Sequence, residues 1–167
     1  AYGWIPNSMQ LDGENFRELA GEPIQELIEA NPDPKALLVE GLKELGMDED
    51  PSKVTVTLMS RNTSKDLSEY FQYTFNAVLG VNVEIDPVEW PVFQERNRAL
   101  DYEFGFKSYG ADFDDPYSMM QLWMTGVKTV PTAWSNAEYD RLLTEASQSL
   151  DKEIRAKDYV EAEKLVL

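Results

Sequence analysis

In the stretch Val54-Thr55-Val56-Thr57-Leu58-Met59, the side chains of Val54, Val56 and Leu58 alternate with those of Thr55, Thr57 and Met59. This alternation is typical of a β-strand. A second alternating strand is predicted over Val81-Asn82-Val83-Glu84-Ile85, with Pro87 ending it. A third strand, rich in aromatic residues, is predicted from Tyr102 to Ser108. Apolar residues recur at helical spacing between these strands, and Gly80 ends the first of the two helices. Because helices separate successive strands, the order predicts an α/β sheet with helical crossovers.

The chain on either side of the first strand extends this pattern. Asp33-Pro34 begins a helix, with aspartate as the N-cap and proline in the first turn. Residues 1–33 scatter glycine and proline among polar residues, so we expect an irregular segment that crosses from another domain. Residues 34–167 are predicted to form a single α/β lobe. Towards the C-terminus, Ser135-Asn136-Ala137-Glu138 matches a capping box and Asp151 caps a last helix.

Composition excludes several classes of function. The net charge of −16, from 31 acidic and 15 basic side chains, argues against nucleic-acid binding, because phosphate contact needs a basic face. The chain has no cysteine and no histidine, so thiolate metal sites and every serine–histidine arrangement are excluded. No apolar run is long enough to cross a bilayer. Since the chain starts at Ala1 and ends at Leu167 within a predicted helix, we expect a piece of a longer protein.

Three carboxylates within four residues, flanked by aromatic residues, occur in the segment Tyr109-Gly110-Ala111-Asp112-Phe113-Asp114-Asp115-Pro116-Tyr117-Ser118. A calcium loop of the EF-hand type is excluded, because the positions for glycine and glutamate hold Tyr117 and Trp123. Asp114 or Asp115 is expected to bond backbone amides at the start of the next helix. Asp112 lies too far before the next helix to bond the amides at its start, and it follows an aromatic strand. It is therefore the candidate for binding a cation.

The four tryptophans are expected to be core anchors in most cases, because large rings bury much area. Trp90 and Trp123 lie in or beside helical patterns, which favours the core. Trp134 lies on a loop directly before a helix cap and is a candidate for lining a pocket.

Taken in order, the motifs resemble those of one family. They are the helix Lys35–Gly46, the strand Val54–Met59, Asn62-Thr63-Ser64, Leu79–Ile85, Glu89-Trp90, Asp101–Phe104, Ala111–Pro116, Trp134–Asn136 and Arg155–Glu163. The chain resembles the second large lobe of the extracellular solute-binding proteins of family 5, the oligopeptide- and dipeptide-binding components of ABC importers. The resemblance covers nearly the whole chain.

The resemblance implies a lobe of the type II periplasmic-binding-protein fold, with a central mixed sheet and flanking helices. Two such lobes close about a hinge on an extended peptide, and residues 1–33 would lie near that hinge. Asp112 takes the place of the aspartate that receives the α-amino group of the peptide. Tyr109, where many relatives carry tryptophan, would line the cleft with Phe113 and Trp134. Phe106 stands where one relative has arginine, which leaves carboxylate recognition and peptide length open.

The resemblance also implies partners and a location. The partners are a peptide ligand, the other lobe of the same protein and the membrane permease of an ABC importer, with no cofactor, no metal and no nucleic acid. The location is the extracellular face of the cell membrane, through a lipid anchor, or the periplasm. Three alternatives remain: the same scaffold with a nickel chelate, heme or sugar; a hydrolase using Asp112 with Asp114 or Asp115; and an adhesive or signalling domain.

Overall fold

The computed structural model describes residues 2–167 and divides the chain into two compact units. One unit combines Ala1–Ala30 with Ser108–Leu167 and is called the terminal unit here. The other, Asn31–Lys107, is called the inserted unit because it lies between those two segments in the sequence. Within residues 2–167, no helix is both long and apolar enough to cross a membrane.

The helices and strands are numbered in chain order. They are β1 (Gln10–Leu11), β2 (Glu14–Asn15), α1 (Phe16–Ala20), α2 (Pro23–Ala30), α3 (Pro34–Glu44), β3 (Thr55–Arg61), α4 (Lys65–Leu79), β4 (Asn82–Val88), α5 (Trp90–Ala99), β5 (Phe104–Gly105), α6 (Tyr117–Met120), α7 (Ala137–Gln148) and α8 (Lys152–Val166). Short 3₁₀ turns occur at Pro51–Lys53, Asn62–Ser64 and Gln121–Trp123.

The inserted unit is built on a three-stranded sheet of order β4-β3-β5. Both pairings are parallel, with α4 connecting β3 to β4 and α5 connecting β4 to β5, as parallel strands require a crossover. Leu58, Val81 and Val83 form its buried core. The predicted α/β sheet with helical crossovers is therefore confirmed. The sheet itself is parallel rather than mixed, and the antiparallel pair β1–β2 belongs to the other unit.

The predicted ends of two strands were wrong. Pro87 does not end β4, which continues to Val88, because β4 is an edge strand, where proline is tolerated. The aromatic strand predicted from Tyr102 to Ser108 is reduced to Phe104–Gly105. A Cβ at Gly105 would lie 2.8 Å from the Met59 carbonyl oxygen, so only glycine allows this close approach of the two strands.

The terminal unit contains regular structure that the sequence did not predict. Residues 1–33 were expected to be irregular, yet they contain β1, β2, α1 and α2. Asp12 and Gly13 form a two-residue hairpin turn with φ values of 55° and 92°, the Asp-Gly combination favoured at such turns. Asn15 caps α1 by accepting from the Arg17 N–H. The expectation failed because glycine and proline here mark the ends of short elements.

The core of the terminal unit joins the N-terminal segment to the last helices. Its buried side chains are those of Ile5, Met9, Leu11, Phe16, Ala20, Met119, Met120, Tyr139, Leu142, Leu143, Ala146, Tyr159 and Ala162. Asp151 caps α8 as predicted, accepting from the Glu153 and Ile154 N–H groups. At α7 the N-cap is Asn136 rather than Ser135, because its side chain accepts from both Glu138 N–H and Tyr139 N–H.

Candidate functional site

Asp112 lies on the loop between β5 and α6, within the terminal unit, and is exposed. Its backbone is held by Ser118, a completely buried residue of α6. The Ser118 Oγ accepts a hydrogen bond from the Asp112 N–H at 2.7 Å and a longer one from the Phe113 N–H at 3.4 Å. The buried Ser118 thus holds the backbone of the loop, while the Asp112 carboxylate remains at the surface.

Among residues 2–167, the Asp112 side chain has one hydrogen-bonding partner. The Tyr109 hydroxyl donates to Asp112 Oδ2 at 2.8 Å. This bond to a carboxylate, together with partial desolvation, raises the pKa of Tyr109, so the hydroxyl stays protonated at neutral pH. In the part of the chain that the structure describes, Asp112 Oδ1 makes no hydrogen bond or ion pair. That oxygen can accept a donor from outside.

The two other aspartates of the loop are engaged inside the terminal unit. Asp115 Oδ1 accepts from the Tyr117 N–H at 2.9 Å, as predicted for a residue that bonds amides at the helix start. Asp115 Oδ2 pairs with Arg155 at 2.6 Å, and Arg155 also pairs with Asp12 at 2.9 Å. Asp114 Oδ1 accepts from the Gln10 N–H at 2.9 Å. These carboxylates connect the loop to α8 and to the β1–β2 hairpin.

The aromatic candidates occupy different surroundings. Phe113 is half-exposed, at 50% of its surface. Trp134 is half-buried, and its ring lies edge-on to Tyr139, with 5.1 Å between centroids, and to Trp123, with 6.5 Å. Tyr109 packs against the same core. The structure therefore brings Tyr109 and Asp112 into direct contact, whereas Trp134 contacts the core aromatics.

Two residues of this site were missed by sequence reasoning. Ser118 closes the acidic segment, but a serine near a helix start is too common to single out. Arg155 lies 40 residues beyond Asp115 in the sequence, and only tertiary contact brings the two together. Among residues 2–167, no group of three or more His, Cys, Asp or Glu side chains could hold a metal ion.

Similarity to known proteins identifies the family of this chain. Residues 1–130 match the family model described as the middle part of bacterial extracellular solute-binding proteins, family 5. The chain belongs to this family. This family 5 chain is 34% identical, over 163 residues, to the dipeptide-binding protein DppE of Bacillus subtilis, covering 97% of the chain and 29% of DppE. It is 30% identical, over 132 residues, to the oligopeptide-binding protein OppA of Bacillus subtilis, covering 77% of the chain and 24% of OppA.

Solved structures show the same architecture for this family 5 chain. A crystal structure of a peptide-binding protein of a peptide ABC transporter matches with a TM-score of 0.82 and 26% identity, covering 99% of this chain and 73% of that one. Listeria monocytogenes OppA bound to peptide matches with a TM-score of 0.77 and 25% identity, covering 100% of this chain and 31% of that one. The predicted type II binding-protein lobe is confirmed. The chain spans less than a third of the length of its Bacillus relatives.

Proposed function

We propose that this chain is the ligand-binding lobe of an ABC transporter substrate-binding protein that captures peptides by hinge closure. Its relatives carry the names of dipeptide- and oligopeptide-binding proteins, and one similar structure holds a peptide. In this proposal residues 1–33 lie near the hinge but belong to the same lobe as residues 34–167, because Ile5 and Phe16 share a core with α7 and α8. The other lobe of the same protein completes the site, since binding pockets enclose most of a ligand's surface.

The observation that carries the proposal is the state of the Asp112 carboxylate. It is exposed, anchored at its backbone by Ser118 and at Oδ2 by Tyr109, and it offers Oδ1 to a ligand. An α-ammonium group must lose water on entering a closed site, and a fixed carboxylate replaces that water. Asp112 is therefore the proposed anchor of the peptide amine, with Tyr109, Phe113 and Trp134 lining the site.

The remaining partners and the location follow from the family. The membrane partner is the permease of an ABC importer. The protein works on the extracellular face of the cell membrane, through a lipid anchor, or in the periplasm. No cofactor takes part, and no catalytic role is proposed. A hydrolase pairing Asp112 with Asp114 or Asp115 lacks support, because the ion pair with Arg155 and the amide bonds already occupy those two carboxylates.

The experiment compares Asp112→Asn with Asp114→Asn in the full-length protein by titration calorimetry. Asparagine keeps the shape of the side chain and removes its charge. Loss of a charge-assisted hydrogen bond should cost roughly 1.5–3 kcal/mol, or about 10- to 100-fold in affinity for a free-amine peptide. Asp114→Asn serves as the matched control, because Asp114 bonds the Gln10 amide and should leave affinity nearly unchanged.

An N-acetylated form of the same peptide completes a double-mutant cycle. It should bind poorly to the wild-type protein and lose little further affinity on Asp112→Asn, because the charge that Asp112 recognises is already gone. If the effects of acetylation and of the substitution simply add, Asp112 is not the amine anchor.

A further inference from the structure

The Asp112 carboxylate is oriented by a tyrosine that needs no ligand to do so. The Tyr109 hydroxyl donates to Asp112 Oδ2 at 2.8 Å, and the tyrosine ring packs against the core of the terminal unit. Ser118, which is completely buried, holds the backbone of the same aspartate. Both the position and the orientation of the carboxylate are therefore set before any ligand arrives, which lowers the entropy lost on binding.

We propose that Tyr109 is a positioning and specificity-determining residue, which leaves one Asp112 oxygen available and thereby selects a ligand ammonium over a guanidinium. This inference rests on the proposed function, in which Asp112 anchors the ligand cation. It assigns Tyr109 a role through its hydroxyl, beyond that of an aromatic wall of the site.

The selection follows from the geometry of the two cations. A guanidinium binds a carboxylate best through two parallel N–H···O bonds, one to each oxygen. An ammonium is compact and forms a good bond to a single oxygen. Because the Tyr109 hydroxyl already occupies one of the two lone pairs of Oδ2, one of the two N–H groups of a guanidinium has to share that oxygen with it, whereas a bond to Oδ1 does not.

The protonation state of Tyr109 keeps this arrangement in place. The hydrogen bond to Asp112 raises the pKa of the Tyr109 hydroxyl above its ordinary value of 10.0. The hydroxyl therefore remains a donor throughout the neutral pH range, so the titration of Tyr109 itself adds no pH dependence to the selection there.

The test uses the full-length protein and two probes, the tripeptide Ala-Phe-Ala and the same tripeptide with its α-amine converted into a guanidine. The wild-type protein should bind the amine form about tenfold more tightly, and Tyr109→Phe should reduce that ratio about fivefold, the range expected for one hydrogen bond. Tyr117→Phe is the matched control, since it removes a hydroxyl from a half-buried tyrosine at the start of α6 and should leave the ratio unchanged.

The outcomes separate the inference from the proposed function. If Asp112→Asn weakens binding of the amine form but Tyr109→Phe leaves the ratio of the two affinities unchanged, the role of Tyr109 is overturned while the amine anchor stands. If the wild-type protein does not bind the amine form, or Asp112→Asn does not weaken it, the proposed function fails and this inference fails with it. Equal loss of both probes on Tyr109→Phe would indicate a purely structural tyrosine and would also overturn it.

Discussion

The side chain of Glu163 is completely buried and forms the central ion pair of the terminal unit. Its Oε2 pairs with the Arg17 guanidinium at 2.6 Å, and its Oε1 accepts from the Ile5 N–H at 2.8 Å. Arg17 also donates to the Gly21 carbonyl oxygen at 3.1 Å. A Cβ at Gly3 would lie 2.2 Å from an Arg17 nitrogen, so the ion pair of Arg17 with Glu163 leaves room only for glycine at position 3. One carboxylate thus connects α8 to the first 21 residues.

Replacing Glu163 with glutamine should destabilise the protein strongly. Glutamine can still accept from the Ile5 N–H but leaves the buried Arg17 charge unpaired, so the free energy of unfolding should fall by about 3 kcal/mol. Urea unfolding measures the change. Glu161→Gln is the control on the same helix, because Glu161 is exposed and pairs with Lys164 only at the surface. Similar effects for the two variants would show that the buried pair is unimportant.

At the scale of the elements, glycine has opposite roles in two helices of the inserted unit. Gly80 follows α4 in the left-handed conformation, with φ at 81°, and its N–H bonds the Asn76 carbonyl oxygen. Gly41 lies inside α3, where a Cβ would meet nothing within 4 Å. The first glycine is required by its backbone conformation, and the second only lowers the helix propensity of its segment.

Alanine at these two positions should therefore change stability in opposite directions. Gly80→Ala forces a Cβ into the left-handed region and should lower the free energy of unfolding by about 1 kcal/mol. Gly41→Ala should raise it by roughly 0.5–1 kcal/mol, because glycine is a poor residue for a helix interior. Thermal unfolding of both variants followed by circular dichroism tests the pair. A change of the same sign in both would contradict the assigned conformations.

At the scale of the whole molecule, the terminal unit is assembled from both ends of the chain. The ion pair of Asp12 with Arg155 and the hydrogen bond between the Ile5 N–H and Glu163 span 143 and 158 residues of sequence. Ile5 and Phe16 contribute to the same core as α7 and α8. The inserted unit has its own core on β3 and β4.

Deleting residues 1–30 should therefore unfold one unit selectively. We expect the backbone amides of α7 and α8 to lose protection from hydrogen exchange, because the deletion removes one side of their core. The amides of β3 and β4 should keep their protection, since their core lies within residues 31–107. Hydrogen exchange with mass spectrometry of the intact and shortened chains measures both. Retained protection in α7 and α8 would show that the first 30 residues do not support this unit.

The sequence by itself determined the elements whose signals are local. The structure contains four of these predicted features: the strand with alternation at 54–59, the helix after Asp33, the end of α4 at Gly80 and the cap at Asp151. These signals need only neighbouring residues, because strand alternation and capping are decided within a few positions of the chain. The family resemblance was likewise readable from the order of motifs, and the match over residues 1–130 confirms it.

Only the tertiary structure decided what each charged and aromatic side chain does. The sequence distinguished Asp112 from Asp114 and Asp115 by position, but it could not show that Arg155 and Gln10 engage the other two. It also could not show that Tyr109 donates to Asp112 or that Ser118 holds its backbone. The length of β5 was missed for the same reason, whereas residues 10–30 carried local signals, the Asp12-Gly13 turn and the Asn15 cap, that were misinterpreted. Contacts between residues distant in sequence depend on packing, and no local pattern carries that information.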